Sequence, residues 1–79
     1  MPQLTLYYSP TCSYCFRVLD FMKKNNIEAV LKDTRSNQAN REELRKIGGR
    51  TQVPCLVIDD KALYESDDII AWLEKNWKK

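Results

Sequence analysis

Polar and apolar residues alternate along Gln3-Leu4-Thr5-Leu6 and end in Tyr7-Tyr8, with Ser9-Pro10 directly behind. That pattern predicts a buried strand running into a loop. From Ser13 to Asn25 the apolar positions Cys15, Val18, Leu19 and Met22 follow the i, i+3, i+4, i+7 spacing of a core-facing helix, Lys23 and Lys24 fall in its last turn, and Asn25-Asn26 can stop it. Glu28 to Asp33 reads as a second strand, and strand-helix-strand in this order is the pattern of a right-handed βαβ unit with parallel strands. Asn40 to Ile47 carries an Asn-x-x-Glu start at Asn40 and Glu43 like a capping box, with Leu44 and Ile47 as its buried face and Gly48-Gly49 as its stop. Cys55-Leu56-Val57-Ile58 is apolar throughout, Asp59-Asp60-Lys61 can turn the chain, and Ala62-Leu63-Tyr64 completes a hairpin. Ser66 can cap a last helix with Asp67 and Asp68 in its first turn, Ile69, Ile70, Leu73 and Trp77 on its buried side, and Lys78 and Lys79 at its end. The predicted order is βαβαββα, an α/β fold in one domain spanning residues 1–79.

Composition agrees with a folded domain. The 79 residues are 43% hydrophobic and 30% charged with 2 Gly and 3 Pro, too many core-forming side chains for a disordered chain. Thirteen Lys plus Arg against eleven Asp plus Glu leaves a net charge of +2, which supplies no broad field for a polyanion, so nucleic acid is not an expected partner. The longest apolar run, Val53 to Ile58, is six residues including a proline, against roughly 18 needed for a bilayer span, so no membrane segment is expected. The first 16 residues hold no Lys or Arg to open a signal peptide, and three cysteines cannot form a closed internal disulfide framework. A cytoplasmic location is the expectation.

With no histidine in the chain, Ser-His and Cys-His schemes are excluded and the candidate chemistry is that of sulfur. Cys12-Ser13-Tyr14-Cys15 stands where the first strand and its loop meet the first helix. There Cys12 meets unpaired backbone N–H groups and the positive end of the helix dipole, both of which favour a thiolate. Thiols in such settings drop from about 8.5 into the range of roughly 3.5 to 7.5. Cys15, one turn further in and on the apolar stripe, is close enough to form a disulfide with Cys12 but less open to a substrate. Attack and resolution are thereby divided between the two. A closed structural zinc site usually needs four Cys or His ligands and the chain has three Cys, so no metal is expected in a monomer. Cys55, opening an apolar strand, reads as a buried structural thiol, and Trp72 and Trp77 as packing residues.

Three separated segments resemble the glutaredoxin family: Tyr7 to Cys15, Gly49-Arg50-Thr51-Gln52-Val53-Pro54, and Ser66-Asp67-Asp68. The resemblance runs from the first strand to the last helix. It implies the thioredoxin-like fold, a four-stranded mixed sheet of order 2-1-3-4 with helices on both faces, and a cis Val53-Pro54 bond facing the cysteine pair. It further implies that Val53 offers its backbone to the cysteinyl part of glutathione, and that Ser66 and Asp67 receive the γ-glutamyl end. Tyr14 would flank the sulfur, while Arg50, Thr51 or Gln52 would approach the tripeptide. The implied activity is that of a glutathione-dependent thiol-disulfide oxidoreductase, with Cys12 as nucleophile and Cys15 as resolving thiol. Glutathione would be co-substrate, nothing would be tightly bound, and a monomer would act on disulfide-containing or glutathionylated proteins. The chain departs from the family pattern in having Ser13 where proline is frequent, Ser9-Pro10-Thr11 where a lysine is frequent, and Tyr64-Glu65 where a glycine pair is usual, which makes that edge of the groove bulkier and more negative. Two other readings stay open. One is a dimer holding a [2Fe-2S] cluster on two Cys12 thiolates and two glutathiones; the other is a thioredoxin-like redoxin reduced by a flavoprotein.

Overall fold

The structure is a computed structural model and describes residues 4–59 and 61–76. Gln3, Asp60, Trp77, Lys78 and Lys79, named above in the first strand, the hairpin turn and the last helix, lie outside the described residues. Seven elements follow in order: β1 Leu4–Tyr8, α1 Ser13–Lys24, β2 Val30–Asp33, α2 Gln38–Gly48, β3 Cys55–Ile58, β4 Lys61–Tyr64 and α3 Ser66–Asn76. The sheet order is β2-β1-β3-β4. β1 pairs with β2 in parallel, Leu6 against Leu31, while β3 lies antiparallel to β1 and to β4. Both the predicted order of elements and the 2-1-3-4 sheet are therefore present.

Side-chain alternation on the central strand sorts the core into two layers. Leu4 and Leu6 point toward α1 and α3 and pack with Val18, Met22, Ile27, Leu56, Ile69 and Leu73. Tyr7 points the other way and packs with Leu44, Cys55, Val57 and Tyr64 beneath α2. Helices thus cover both faces, as a sheet buried on both sides requires. Trp72 is partly buried against the larger layer.

α1 ends where its residues say it should. Asn25 donates from its backbone to Phe21 at 3.1 Å and from its side-chain amide to the same carbonyl at 2.8 Å, and Asn26 takes a left-handed φ of 54°. α2 departs from the expected start. Its N-cap is Asn37, whose side chain accepts from Ala39 N at 2.9 Å. Asn40 lies inside the helix and donates to the Asp33 carbonyl at 3.1 Å, which ties α2 to the end of β2. Glu43, cast as the capping-box partner, instead accepts from Tyr7 Oη and Lys32 Nζ. Burial pushes the Tyr7 hydroxyl upward, and the bond to Glu43 adds to the shift. The Lys32 and Tyr7 bonds hold the Glu43 carboxyl below its ordinary value.

Ile47, expected on the buried face of α2, keeps 39% exposure, which leaves Leu44 as the buried residue of that helix. Gly49 stops α2 at φ 79°, a conformation that costs glycine little, with its N–H on Arg45 O at 2.8 Å. A side chain at Gly48 would strike the Tyr64 hydroxyl, so glycine there permits the close approach of α2 to β4.

β2 is shorter than expected, beginning at Val30 rather than Glu28, and Val30 and Leu31 are exposed because β2 is an edge strand. β4 begins one residue earlier than expected, at Lys61, which pairs with Ile58 across a two-residue connection in which Asp59 has φ 52°. α3 begins at Ser66, and Glu65, the residue before it, sits at φ 71°. Ile69 N donates to Glu65 O at 3.0 Å, so the first intrahelical bond of α3 closes on that residue.

Candidate redox site

Three segments converge at the end of β1. The Ser9-Pro10-Thr11 loop delivers the chain to Cys12, which is the N-cap of α1 in an extended conformation with φ −96° and ψ 116°. Its carbonyl accepts the first intrahelical bond from Phe16 N at 3.3 Å, and its own N–H donates to Ser9 O at 3.1 Å. No side chain caps this helix start. The sulfur of the N-cap residue therefore stands at the end of α1 where its unpaired amides open. Cys12 is half-buried, and its thiol donates over a long 4.0 Å to the Val53 carbonyl. The Val53-Pro54 bond is cis.

Cys15 is fully buried one turn along, and its sulfur accepts from Ser9 N at 3.5 Å. Both cysteines are free thiols. Burial pushes the Cys15 thiol up to about 12; the Ser9 N–H pulls it down, and the neighbouring Cys12 pushes it up further. Chemically this makes an accessible sulfur at a helix tip, with a second, protonated sulfur held in reserve beneath it.

The remaining residues singled out in the sequence fall in the motif itself, in the loop around Pro54 and at the end of β4 and start of α3. Tyr14 projects from the motif with 62% exposure. Thr51 is half-buried in the loop before Val53, and Pro54 is buried. Gln52 donates from Nε2 to Glu65 Oε1 at 3.0 Å, which joins that loop to the start of α3. Ser66 is buried, while Asp67 is exposed and paired with Arg17 Nη1 at 2.9 Å. Arg50 does not reach toward the sulfur. Its guanidinium lies 4.3 Å from the Tyr64 ring centroid and its carbonyl accepts from Tyr64 Oη at 3.1 Å. Tyr64, expected to thicken the groove edge, is itself buried in the layer under α2, so the added bulk and charge there are those of Glu65 alone. Cys55 is fully buried in that same layer, where burial pushes its thiol up to about 11, as suits a structural cysteine. Among the described residues no three Cys, Asp or Glu side chains are grouped to hold a metal ion.

Residues 6–78 match the family model described as glutathione S-transferase, N-terminal domain. Glutaredoxin 3 of Escherichia coli is 32% identical over 71 residues, covering 90% of this chain and 86% of that protein. The chain belongs to the glutaredoxin family. Among solved structures, the thioredoxin-like protein BC3987 superposes with a TM-score of 0.80 at 26% identity, covering 92% of this chain and 97% of that one. A delta-class glutathione transferase of Nilaparvata lugens superposes with a TM-score of 0.79 at 31% identity over 96% of this chain, which spans 37% of the transferase's length. The glutaredoxin-like chain is thus a thiol redox protein of the thioredoxin-like fold.

Two cations near the glutaredoxin-type motif were not evident in the sequence. Arg35, from the turn after β2, donates from Nη1 to Thr11 Oγ1 at 2.8 Å, and Thr11 Oγ1 lies 3.1 Å from Ser9 Oγ. That turn is set by Asp33, whose carboxylate accepts from Ser36 N at 3.1 Å and Arg35 N at 2.8 Å and is held below its ordinary value, Ser36 contributing most. The loop before Cys12, which lacks the frequent lysine, is therefore held by an arginine from another element. Arg17 is the second cation. Nothing in local spacing pairs Arg35 with Thr11 or Arg17 with Asp67, because both contacts are made only when the chain folds.

Proposed function

We propose that the chain is a glutathione-dependent thiol-disulfide oxidoreductase that reduces protein disulfides and protein-glutathione mixed disulfides. The observation that carries this reading is the half-buried Cys12 sulfur at the tip of α1, facing the Val53 carbonyl, with the Cys15 thiol buried beneath it. In the first step the Cys12 thiolate attacks the glutathione sulfur of a mixed disulfide. One sulfur-sulfur bond forms, the old one breaks, and the protein leaves as a thiolate that takes up a proton. A second glutathione thiolate then attacks the glutathionyl sulfur on Cys12, releasing glutathione disulfide and regenerating the Cys12 thiolate. With a protein disulfide, Cys15 resolves the intermediate instead, and two glutathiones afterwards return the Cys12-Cys15 disulfide to the dithiol.

Val53, with Thr51, Gln52 and Pro54 around it, lines the groove for the cysteinyl part of the tripeptide, and Tyr14 flanks the sulfur. The start of α3 takes the γ-glutamyl end: helix-tip amides at Ser66 and Asp67 favour its carboxylate and the Asp67 side chain its ammonium. Glutathione is a co-substrate with no tightly bound cofactor, and the domain works as a monomer in the reducing cytoplasm. The test is turnover of a glutathionylated protein coupled to glutathione reductase. Cys12→Ser should abolish it. Cys15→Ser should retain it, because glutathione itself completes the cycle. Turnover that persists in Cys12→Ser, or that runs equally well on thioredoxin reductase without glutathione, contradicts the proposal.

A further inference from the structure

The ion pair between Arg17 and Asp67 has a position more informative than its strength. Both side chains are exposed, 56% and 79%, and a pair of that kind contributes little to folding. It joins the helix that carries Cys12 to the first turn of α3, and the Gln52-Glu65 bond also ends at that helix start. Arg17 follows Ser13 by four residues, so the two share a face of α1, and helical side chains lean toward the N-terminus. Its guanidinium is accordingly carried toward the Cys12 end of the helix. The result is a cation, an anion and helix-tip amides close together and open to solvent, with the cation carried on the helix that Cys12 opens.

We infer that Arg17 binds the α-carboxylate of an incoming γ-glutamyl group while Asp67 binds its ammonium, so that the ion pair of the free protein is exchanged for two pairs with the ligand. This rests on the tripeptide reading above and adds to it a specificity residue on α1. The exchange leaves no charge unmatched, since each side chain gives up its partner as it gains an opposite charge. Arg17 has five N–H donors in a fork that fits a carboxylate with two parallel bonds, so it can hold the ligand without leaving the vicinity of Asp67. The positive end of α3 adds to the attraction for the carboxylate. A ligand carrying only an anion, or only a cation, leaves half of the pair unmatched. The arrangement therefore selects a zwitterionic amino-acid terminus.

The test compares three mixed disulfides of 2-mercaptoethanol: with glutathione, with glutathione whose γ-glutamyl α-carboxylate is an amide, and with glutathione lacking the α-amino group. In the wild type each analogue should raise KM about tenfold, the loss expected for one hydrogen-bonded charge pair. Arg17→Gln should raise KM for the parent compound, narrow its advantage over the amide to the share supplied by the start of α3, and still distinguish the deaminated analogue fully; Arg17→Lys should recover part of the lost discrimination. Asp67→Asn should show the reverse selectivity. An Arg17→Gln enzyme that rejects the amide as strongly as wild type, or whose KM for the parent falls, overturns the Arg17 assignment alone. A wild type that treats all three alike and reduces bis(2-hydroxyethyl) disulfide just as readily overturns the tripeptide reading and this inference together.

Discussion

Alkylation of the reduced protein with iodoacetamide near pH 7 should modify one cysteine, Cys12, and leave Cys15 and Cys55 essentially untouched. The size of the difference follows from the burial of the two interior thiols. With the Cys15 thiol pushed up to about 12, its thiolate fraction at pH 7 is ~10⁻⁵, against ~3% for an ordinary exposed thiol near 8.5. A more basic thiolate is intrinsically more nucleophilic, and a Brønsted slope of about 0.4–0.5 over this interval returns roughly 30-fold of that deficit. The net expectation is labelling about 100-fold slower than an ordinary thiol, before steric exclusion of a sulfur with 0% exposure is counted. For Cys55, pushed up to about 11, the same reasoning gives roughly 20-fold.

A mass-spectrometric time course with peptide mapping reads all three sites at once. The Cys15 rate should climb about tenfold for each unit of pH above 7, because its thiolate fraction does. Labelling of Cys15 within tenfold of Cys12 at neutral pH would refute the division between an exposed attacking sulfur and a protonated reserve. The division also bears on the cycle. The Cys12 thiol is one of the causes that hold the Cys15 proton in place, and that cause disappears once Cys12 is tied up in a mixed disulfide. In the proposed cycle the loss of that cause would lower the Cys15 value in the mixed disulfide, while burial, the larger cause, persists.

Other outcomes follow from the packing and the titrations. Leu44→Ala removes the buried residue of α2 and should cost about 2–5 kcal/mol, seen as a Tm drop of at least ~8 °C; a drop under ~3 °C would mean that α2 is held by something else. Glu43→Ala orphans the hydroxyl of Tyr7, which is 1% exposed, and should cost about 1–3 kcal/mol, while adding Tyr7→Phe should return part of that loss; strict additivity in urea melts would contradict the network. Cys15 and Cys55 both hold their protons more tightly folded than unfolded, so their contribution is whole below the ordinary thiol value near 8.5 and is lost as pH rises through about 11 and 12. The reduced domain should lose on the order of 2 kcal/mol per buried thiol by about pH 10.5, and urea midpoints that stay level over this range in the dithiol form would count against the burial of both.

Much of the fold was legible because its signals are local. The period of Cys15, Val18 and Met22 marks α1 and its buried face, Asn25-Asn26 marks its end, and the unbroken apolar run of β3 marks a strand covered on both sides. The start of α2 was misread for a physical reason. Asn37 and Asn40 are equally good caps in isolation, and what decides between them is the bond from Asn40 to the Asp33 carbonyl, a contact across the turn after β2. Glu43 looked like a capping acid until Tyr7, 36 residues away, claimed it. Val30 and Leu31 were correctly strand-forming, yet exposed, because edge position is a property of the sheet and not of the segment.

The same distinction governs the site. Cys12 and Cys15 announce themselves by spacing and by standing at a strand-helix junction, whereas the approach of Val53 to Cys12, the Gln52-Glu65 bond, and the contacts of Arg17 and Arg35 are products of the chain returning on itself. Glu65 is instructive in another way. Its φ of 71° explains why a glycine is usual at that place, and its side chain is occupied by Gln52 rather than left free in the groove.

A covalent species on Cys12 is the most direct sign of the attacking sulfur. Cys15→Ser mixed with a glutathionylated protein, quenched with acid and mapped by mass spectrometry, should carry one glutathionyl group on Cys12, and free glutathione should remove it as glutathione disulfide. An adduct on Cys55, or none at all while the substrate is still being reduced, would contradict the assignment of Cys12 as the attacking sulfur.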